Sequence, residues 1–238
     1  MKLKHTLLLT LATASLGLAA ENNTPPEGFT ALFNGKDLSG WYGWGTQDPT
    51  DLWKMTPEER AAYKKKSVEG GLKDAKGNDK GDHVNAHWKV ENGELVNDGK
   101  GLYLTTDKDY GDFELWVDYK MLPLGDSGIY LRGIYEVQVM ESFGKPLDSH
   151  HMGALYSRIT PSVNAEKPIG EWQTLDITLV DRHLTVILNG KTIIDNQPVL
   201  GCTGGAMTSD EFKPGPIYLQ GDHTNVDYRN MVLTPVVK

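Results

Sequence analysis

Cysteine is nearly absent from this chain: one residue, Cys202, in 238. A single thiol closes no disulfide within the chain, so the fold must rest on its hydrophobic core. With no histidine near it in sequence, Cys202 reads as a small buried hydrophobe rather than a nucleophile. Basic charge is also in deficit. The chain has 24 Lys and Arg against 32 Asp and Glu, a formal net charge of −8. No basic stripe is available to neutralise phosphates, which argues against nucleic acid as a partner. After residue 20 no apolar run approaches the length of a membrane span. Internal repeats, zinc-type Cys/His spacing, a phosphate-binding glycine loop and a GxSxG elbow are missing too.

What is present begins with an export signal. MKLKH carries positive charge, and TLLLTLATASLGLAA follows as a short apolar run ending in small residues. This pattern predicts a signal peptide over 1–20 and a periplasmic or extracellular protein. The run is too short to anchor the chain, and no Cys follows it to take a lipid. Residues 21–27, ENNTPPE, read as a disordered polar leader, and 28–238 as one domain. Six Trp, ten Tyr and five Phe are a sizeable aromatic stock.

Strand signals fill the domain. FELWVDYK (113–120) alternates Phe113, Leu115, Val117 and Tyr119 against Glu114, Trp116, Asp118 and Lys120. LDITLV (175–180), LTVIL (184–188), GIYLRG (128–133), GPIYLQG (215–221) and MVLTPV (231–236) behave as further strands. Asn34-Gly35, Asn92-Gly93 and Asn189-Gly190 supply the positive φ angles that tight hairpins need. Many short strands between regular turns predict an all-β antiparallel sandwich. Residues 46–85 are the exception and read as an insertion. In TPEERAAYKKK, Thr56 is set to cap a helix, Pro57 suits its first position and Glu59 completes a capping box.

EVQVMES, residues 136–142, carries the candidate chemistry. Val137 and Val139 should enter the core, leaving Glu136 and Gln138 on the opposite face. A bulge near Val139–Met140 would bring Glu141 to that face as well. Two carboxylates about 5–5.5 Å apart are the arrangement of a retaining glycosidase. His223, in a loop after a predicted strand, suits proton transfer. Lys120 and Arg132 lie on outward faces by alternation and are candidates to offset negative charge on a substrate. Trp44 and Tyr135 are candidate sugar platforms, whereas Trp41 reads as core.

E-x-Q-x-x-E at 136–141 is similar to the E-x-D-x-x-E strand of laminarinase-type glucanases, with Gln138 where those enzymes place an acid. A closer resemblance spans nearly the whole mature chain. GFTALFNGKDLSGW (28–41), WKVENGELV (88–96), DSGIYLR (126–132), YEVQVME (135–141), GEWQTLDIT (171–178) and LTVILNGK (184–191), in this order, resemble the secreted 3-keto-disaccharide hydrolases. That resemblance implies a concanavalin A-like jelly roll and a 3-keto-glycoside substrate, made upstream by a sugar 3-dehydrogenase. A C3 ketone acidifies the C2 proton, so a base, an enolate stabiliser and an acid suffice. Glu136, Glu141 and His223 are the candidate catalytic groups. Gln138, Lys120, Arg132, Trp44 and Tyr135 are the candidate substrate contacts. A divalent metal ion is an alternative enolate stabiliser, with Glu136, Glu141 and His223 as its ligands. Two other readings stay open: a retaining glucanase-like glycosidase and a non-catalytic carbohydrate-binding domain.

Overall fold

The computed structural model describes residues 22–237, and the signal peptide expected over 1–20 lies outside the described residues. In chain order the first half holds β1 (Thr30–Ala31), β2 (Trp41–Trp44), α1 (Pro49–Lys54), α2 (Pro57–Glu69), α3 (Val84–His87), β3 (Trp88–Glu91), β4 (Glu94–Asn97) and β5 (Tyr103–Thr106). There follow β6 (Phe113–Met121), β7 (Asp126–Leu131), β8 (Tyr135–Met140), β9 (Gln173–Val180), β10 (His183–Leu188), β11 (Lys191–Pro198), β12 (Tyr218–Leu219) and β13 (Val226–Pro235). They form a jelly-roll sandwich of two antiparallel sheets. The larger runs β11-β10-β9-β6-β13-β4-β3, with β1 beside β13; the smaller runs β2-β5-β12-β7-β8.

Alternation places the core between the sheets. Phe113, Leu115, Val117 and Tyr119 of β6 are all buried, and they meet Ile129, Leu131, Val137 and Val139 of the small sheet in one apolar cluster. Tight turns fix the registers. Asn92-Gly93 and Asn189-Gly190 both take positive φ, as do Asp181-Arg182 and Arg132-Gly133. The last pair folds β7 back on β8 so that Tyr130 lies opposite Glu136. Asn34-Gly35 is different. The Asn34 side chain accepts from the backbone N–H groups of Lys36 and Asp37, and the flanking strands β1 and β2 belong to different sheets. It is a crossover turn and not the hairpin its sequence suggests.

The insertion begins with α1 and α2. Thr56 Oγ1 accepts from the Glu59 N–H at 3.2 Å, and the Thr56 N–H donates to the Glu59 carboxylate at 2.9 Å. These two helices cover part of the small sheet's outer face. Leu52 packs there with Tyr42, Trp44, Tyr103 and Tyr218 in a second apolar cluster. The leader departs from expectation. The Asn23 N–H donates to Asn230 Oδ1 at 2.7 Å, and its side-chain amide donates to the Gly93 carbonyl at 2.8 Å. Residues around Asn23 are therefore tied to β13 and to the β3–β4 turn.

Leu115→Ala empties a site between the sheets and is expected to cost about 2–5 kcal/mol in urea unfolding. Thr56→Ala removes one helix cap and is expected to cost about 1 kcal/mol.

Candidate active site

The small sheet has one face in the core and one outside it, and the strand registers decide which side chains share the outside. Tyr218 pairs with Tyr130, and Tyr130 pairs with Glu136. These three residues form a row across β12, β7 and β8. Gly128 pairs with Gln138 in the next row, and Asp126 with Met140 beyond it. The pairing of β7 with β8 runs without a break from Asp126 to Leu131, so Glu136 and Gln138 stay together opposite Val137 and Val139. The free edge of β8 is held still. The Glu136 N–H donates to Thr203 Oγ1 at 3.0 Å, and the Gln138 N–H to the Ala154 carbonyl at 2.9 Å.

Glu136 is buried, with 4% of its surface exposed. Gly128 makes room for it, because a Cβ on Gly128 would overlap the Glu136 carboxyl. Burial disfavours the charged carboxylate and Asp126 adds repulsion, while Tyr130 and His223 pull the other way. Burial wins, and the Glu136 pKa is pushed up to about 7. Proton counting supports the neutral form. The Tyr130 hydroxyl lies 2.8 Å from Glu136 Oε2 and 2.7 Å from the Gly204 carbonyl. A phenol has one O–H. It cannot donate to both acceptors, and a carbonyl oxygen at 2.7 Å needs a proton between. With Glu136 protonated, its own O–H donates to Tyr130 and Tyr130 donates to Gly204. Every contact is then satisfied. Tyr130 is held in place by stacking on Tyr218, with ring centroids 4.2 Å apart.

The neighbouring end of the face is polar. The Gln138 amide donates through Nε2 to Asp126 Oδ1 at 3.1 Å, while its buried Oε1 has no partner. Thr224 braces Asp126, accepting its N–H and donating to its carbonyl. His223 Nδ1 lies 2.6 Å from Asp222 Oδ1, and its Nε2 lies 3.3 Å from the Gln220 amide nitrogen. A carboxylate accepts and an amide NH₂ donates. The partners therefore assign the proton to Nδ1 and make Nε2 the acceptor of a long Gln220 N–H contact, the nitrogen that can take a proton when a substrate displaces Gln220. Gln220 is oriented by a second bond to the Tyr103 hydroxyl at 3.0 Å.

Of the residues singled out by sequence, Glu136, Gln138 and His223 meet at this face. The others do not. Glu141 follows β8 without the expected bulge and accepts from the Leu124 N–H at 3.1 Å. The paired carboxylates of a retaining glycosidase are therefore not assembled, and neither is the metal-ligand set Glu136, Glu141 and His223. Among the described residues no three His, Cys, Asp or Glu side chains cluster to hold an ion. Lys120 faces outward, but from the other sheet, and pairs with Asp227 at 3.0 Å and Glu94 at 3.5 Å. The Arg132 guanidinium is spent on the Lys213 and Glu211 carbonyls. Tyr135 is buried on the core side, its hydroxyl bonded to Glu211. Trp44 is 2% exposed beneath the insertion, so no sugar can stack on it. Sequence reasoning passed over Tyr130 and Asp222. Register supplies the first, opposite Glu136; adjacency to His223 supplies the second.

A family model described as a 3-keto-alpha-glucoside-1,2-lyase-like domain matches residues 28–234. Solved structures from Parabacteroides distasonis are similar. One, described as a "putative glycosyl hydrolase", is 25% identical, with 90% of this chain and 86% of that chain covered and a TM-score of 0.63. A second with the same description is 20% identical over 91% of this chain and 100% of its own, again at a TM-score of 0.63. No curated protein sequence matches the chain.

Ionising Glu136 in its buried place weakens the fold. Between its ordinary pKa of 4.5 and the folded value of about 7, the folded state keeps a proton that the unfolded chain has released. Stability therefore falls as pH rises through this window. Glu136→Gln lacks that loss. The variant is expected to match the parent near pH 4 and to exceed it near pH 8 by on the order of 3 kcal/mol. Chemical denaturation at the two pH values measures the difference.

Proposed function

The chain belongs to the 3-keto-alpha-glucoside-1,2-lyase-like family, and from the acid and base on its small sheet we propose that it cleaves 3-keto-glycosides by elimination across C1 and C2. The observation that carries this reading is the Tyr130 hydroxyl, whose one proton favours a protonated Glu136 on the face that also presents the His223 imidazole. An acid and a base ready at once are what an elimination needs. A double displacement needs an ionised nucleophile 5–5.5 Å or so from its acid, and Glu141 is not placed to supply one.

His223 Nε2 removes the C2 proton, and the C3 ketone takes up the electron pair as an enolate. The pair returns to form the C1–C2 double bond, and the C1–O bond breaks. Glu136 passes its proton to the departing oxygen, which leaves as a free hydroxyl. Water then adds at C1 of the enone. The Glu136 carboxylate takes a proton from that water, and the His223 imidazolium returns one to C2. Both groups regain their starting states, and the product is the free 3-keto sugar. Gln138 orders the polar end of the face, its amide donating to Asp126 Oδ1 at 3.1 Å. An amide serves better there than a carboxylate, because a second negative charge beside Glu136 would make that acid harder to ionise when it gives up its proton. The ketone must come from an oxidation at C3 upstream, the work of a sugar 3-dehydrogenase.

Turnover of 3-keto-trehalose and a 3-keto-β-glucoside, beside the unoxidised parents, tests the proposal. Release of 3-keto-glucose from the oxidised substrates alone is expected, and a chelator lane reports whether a divalent ion contributes. Glu136→Gln and His223→Ala are each expected to lose about 10²–10⁴-fold in kcat. The rate should fall as pH rises through about 7, where Glu136 gives up its proton, and Glu136→Gln should lack this limb. Turnover of the unoxidised parents, or full activity in both variants, would sink the proposal.

A further inference from the structure

A cavity of about 570 Å³ at the opposite end of the same sheet is left unused by the proposed chemistry. It lies between the insertion helices and the 207–216 loop, and neither Glu136 nor His223 lines it. Tyr130 and Tyr218 close the space between, with their hydroxyls bonded to the carbonyls of Gly204 and Gly205. A volume of several hundred Å³ is the size of a small-ligand site.

Charge bookkeeping along its wall narrows the ligand class. Four cations line the cavity, and each is already occupied. Arg60 donates to the Leu52 and Trp53 carbonyls. Arg132 donates to those of Glu211 and Lys213. Lys64 pairs with Asp107 at 2.9 Å and Lys213 with Asp210 at 3.0 Å. Three carboxylates line the same wall, so an entering anion would meet repulsion and no free cation. Two groups on this wall are suited to a neutral ligand. One is the Asp109 carboxylate, which accepts no hydrogen bond among the described residues; partial burial raises its pKa against the attraction of Lys64 and Arg60. The other is the Trp53 indole, 49% exposed on α1. Its ring lines the cavity wall with a face open to a ligand.

We propose that this cavity is a second, non-catalytic saccharide site built by the insertion. A neutral sugar has the matching chemistry. The C–H face of its ring carries partial positive charge and stacks on the electron-rich face of Trp53. Its hydroxyls donate to the Asp109 carboxylate. The site would hold a second part of a longer glycoside, or a neighbouring chain of the same polysaccharide, without taking part in bond cleavage.

The test is calorimetric titration of the mature protein with trehalose, maltotriose and cellotriose, none of which carries a ketone. Saturable millimolar binding of at least one is expected. Trp53→Ala and Asp109→Asn should each weaken it at least tenfold, while Gln138→Ala and Glu136→Gln leave it unchanged. Trp53→Phe, which keeps an aromatic surface, should bind better than Trp53→Ala. This comparison guards against a loss caused by disturbing α1. No binding by any of the three sugars, binding lost in Gln138→Ala but kept in Trp53→Ala, or tighter binding of sulfate than of sugar would each overturn the proposal. None of these outcomes bears on turnover of the 3-keto substrates.

Discussion

One hydroxyl proton on Tyr130 faces two acceptors, and the chemistry of the site depends on how that conflict is resolved. The Gly204 carbonyl has no proton to offer, so the second proton has to come from Glu136. Burial makes this inexpensive, because a desolvated carboxyl prefers to be neutral. The two effects reinforce each other: burial raises the pKa, and the Tyr130–Gly204 bond gives the resulting O–H an acceptor. The same sheet presents the opposite case a few residues away. The exposed Asp222 stays available as an acceptor and holds the His223 proton on Nδ1. An acid and a base coexist because one carboxyl is buried and the other is not.

The arrangement requires a rigid sheet with a face outside the core. Jelly-roll packing supplies both. Val137 and Val139 fix β8 from beneath, Thr203 and Ala154 fix its edge, and Gly128 leaves the gap that Glu136 fills. The insertion then divides the outer face. Its helices bury Trp44, Tyr42 and Tyr103 in a second apolar cluster. The end with His223 and Gln138 remains outside that cluster, and the separate cavity beside Trp53 lies at the other end.

Much of this was legible in the sequence. The alternation of 113–120, the capping box at Thr56 and the shared face of Glu136 and Gln138 all follow from local rules that the structure obeys. The failures share a cause. Alternation says which face a residue takes, and nothing about which sheet its strand joins; Lys120 faces outward as expected, on the wrong sheet. Trp44 looked exposed beside glycines, but its burial depends on helices that lie beyond it in sequence. Glu141 needed a bulge, and whether a strand bulges depends on its partner's register. Tyr130 was invisible for the same reason: its role exists only because the Arg132-Gly133 turn sets it opposite Glu136. The family resemblance supplied the ketone, which no residue pattern in the chain encodes.

The central claim is that Glu136 holds its proton far above the ordinary carboxyl range, up to about pH 7. The most direct measurement is a pH titration of its side-chain carboxyl by ¹³C NMR, with Glu136→Gln used to assign the signal. A midpoint near 7, lowered in a Gln138→Ala variant that admits water, is the expected result. A midpoint near the ordinary 4.5 would mean that Glu136 is ionised under working conditions, and the division of acid and base described here would be contradicted.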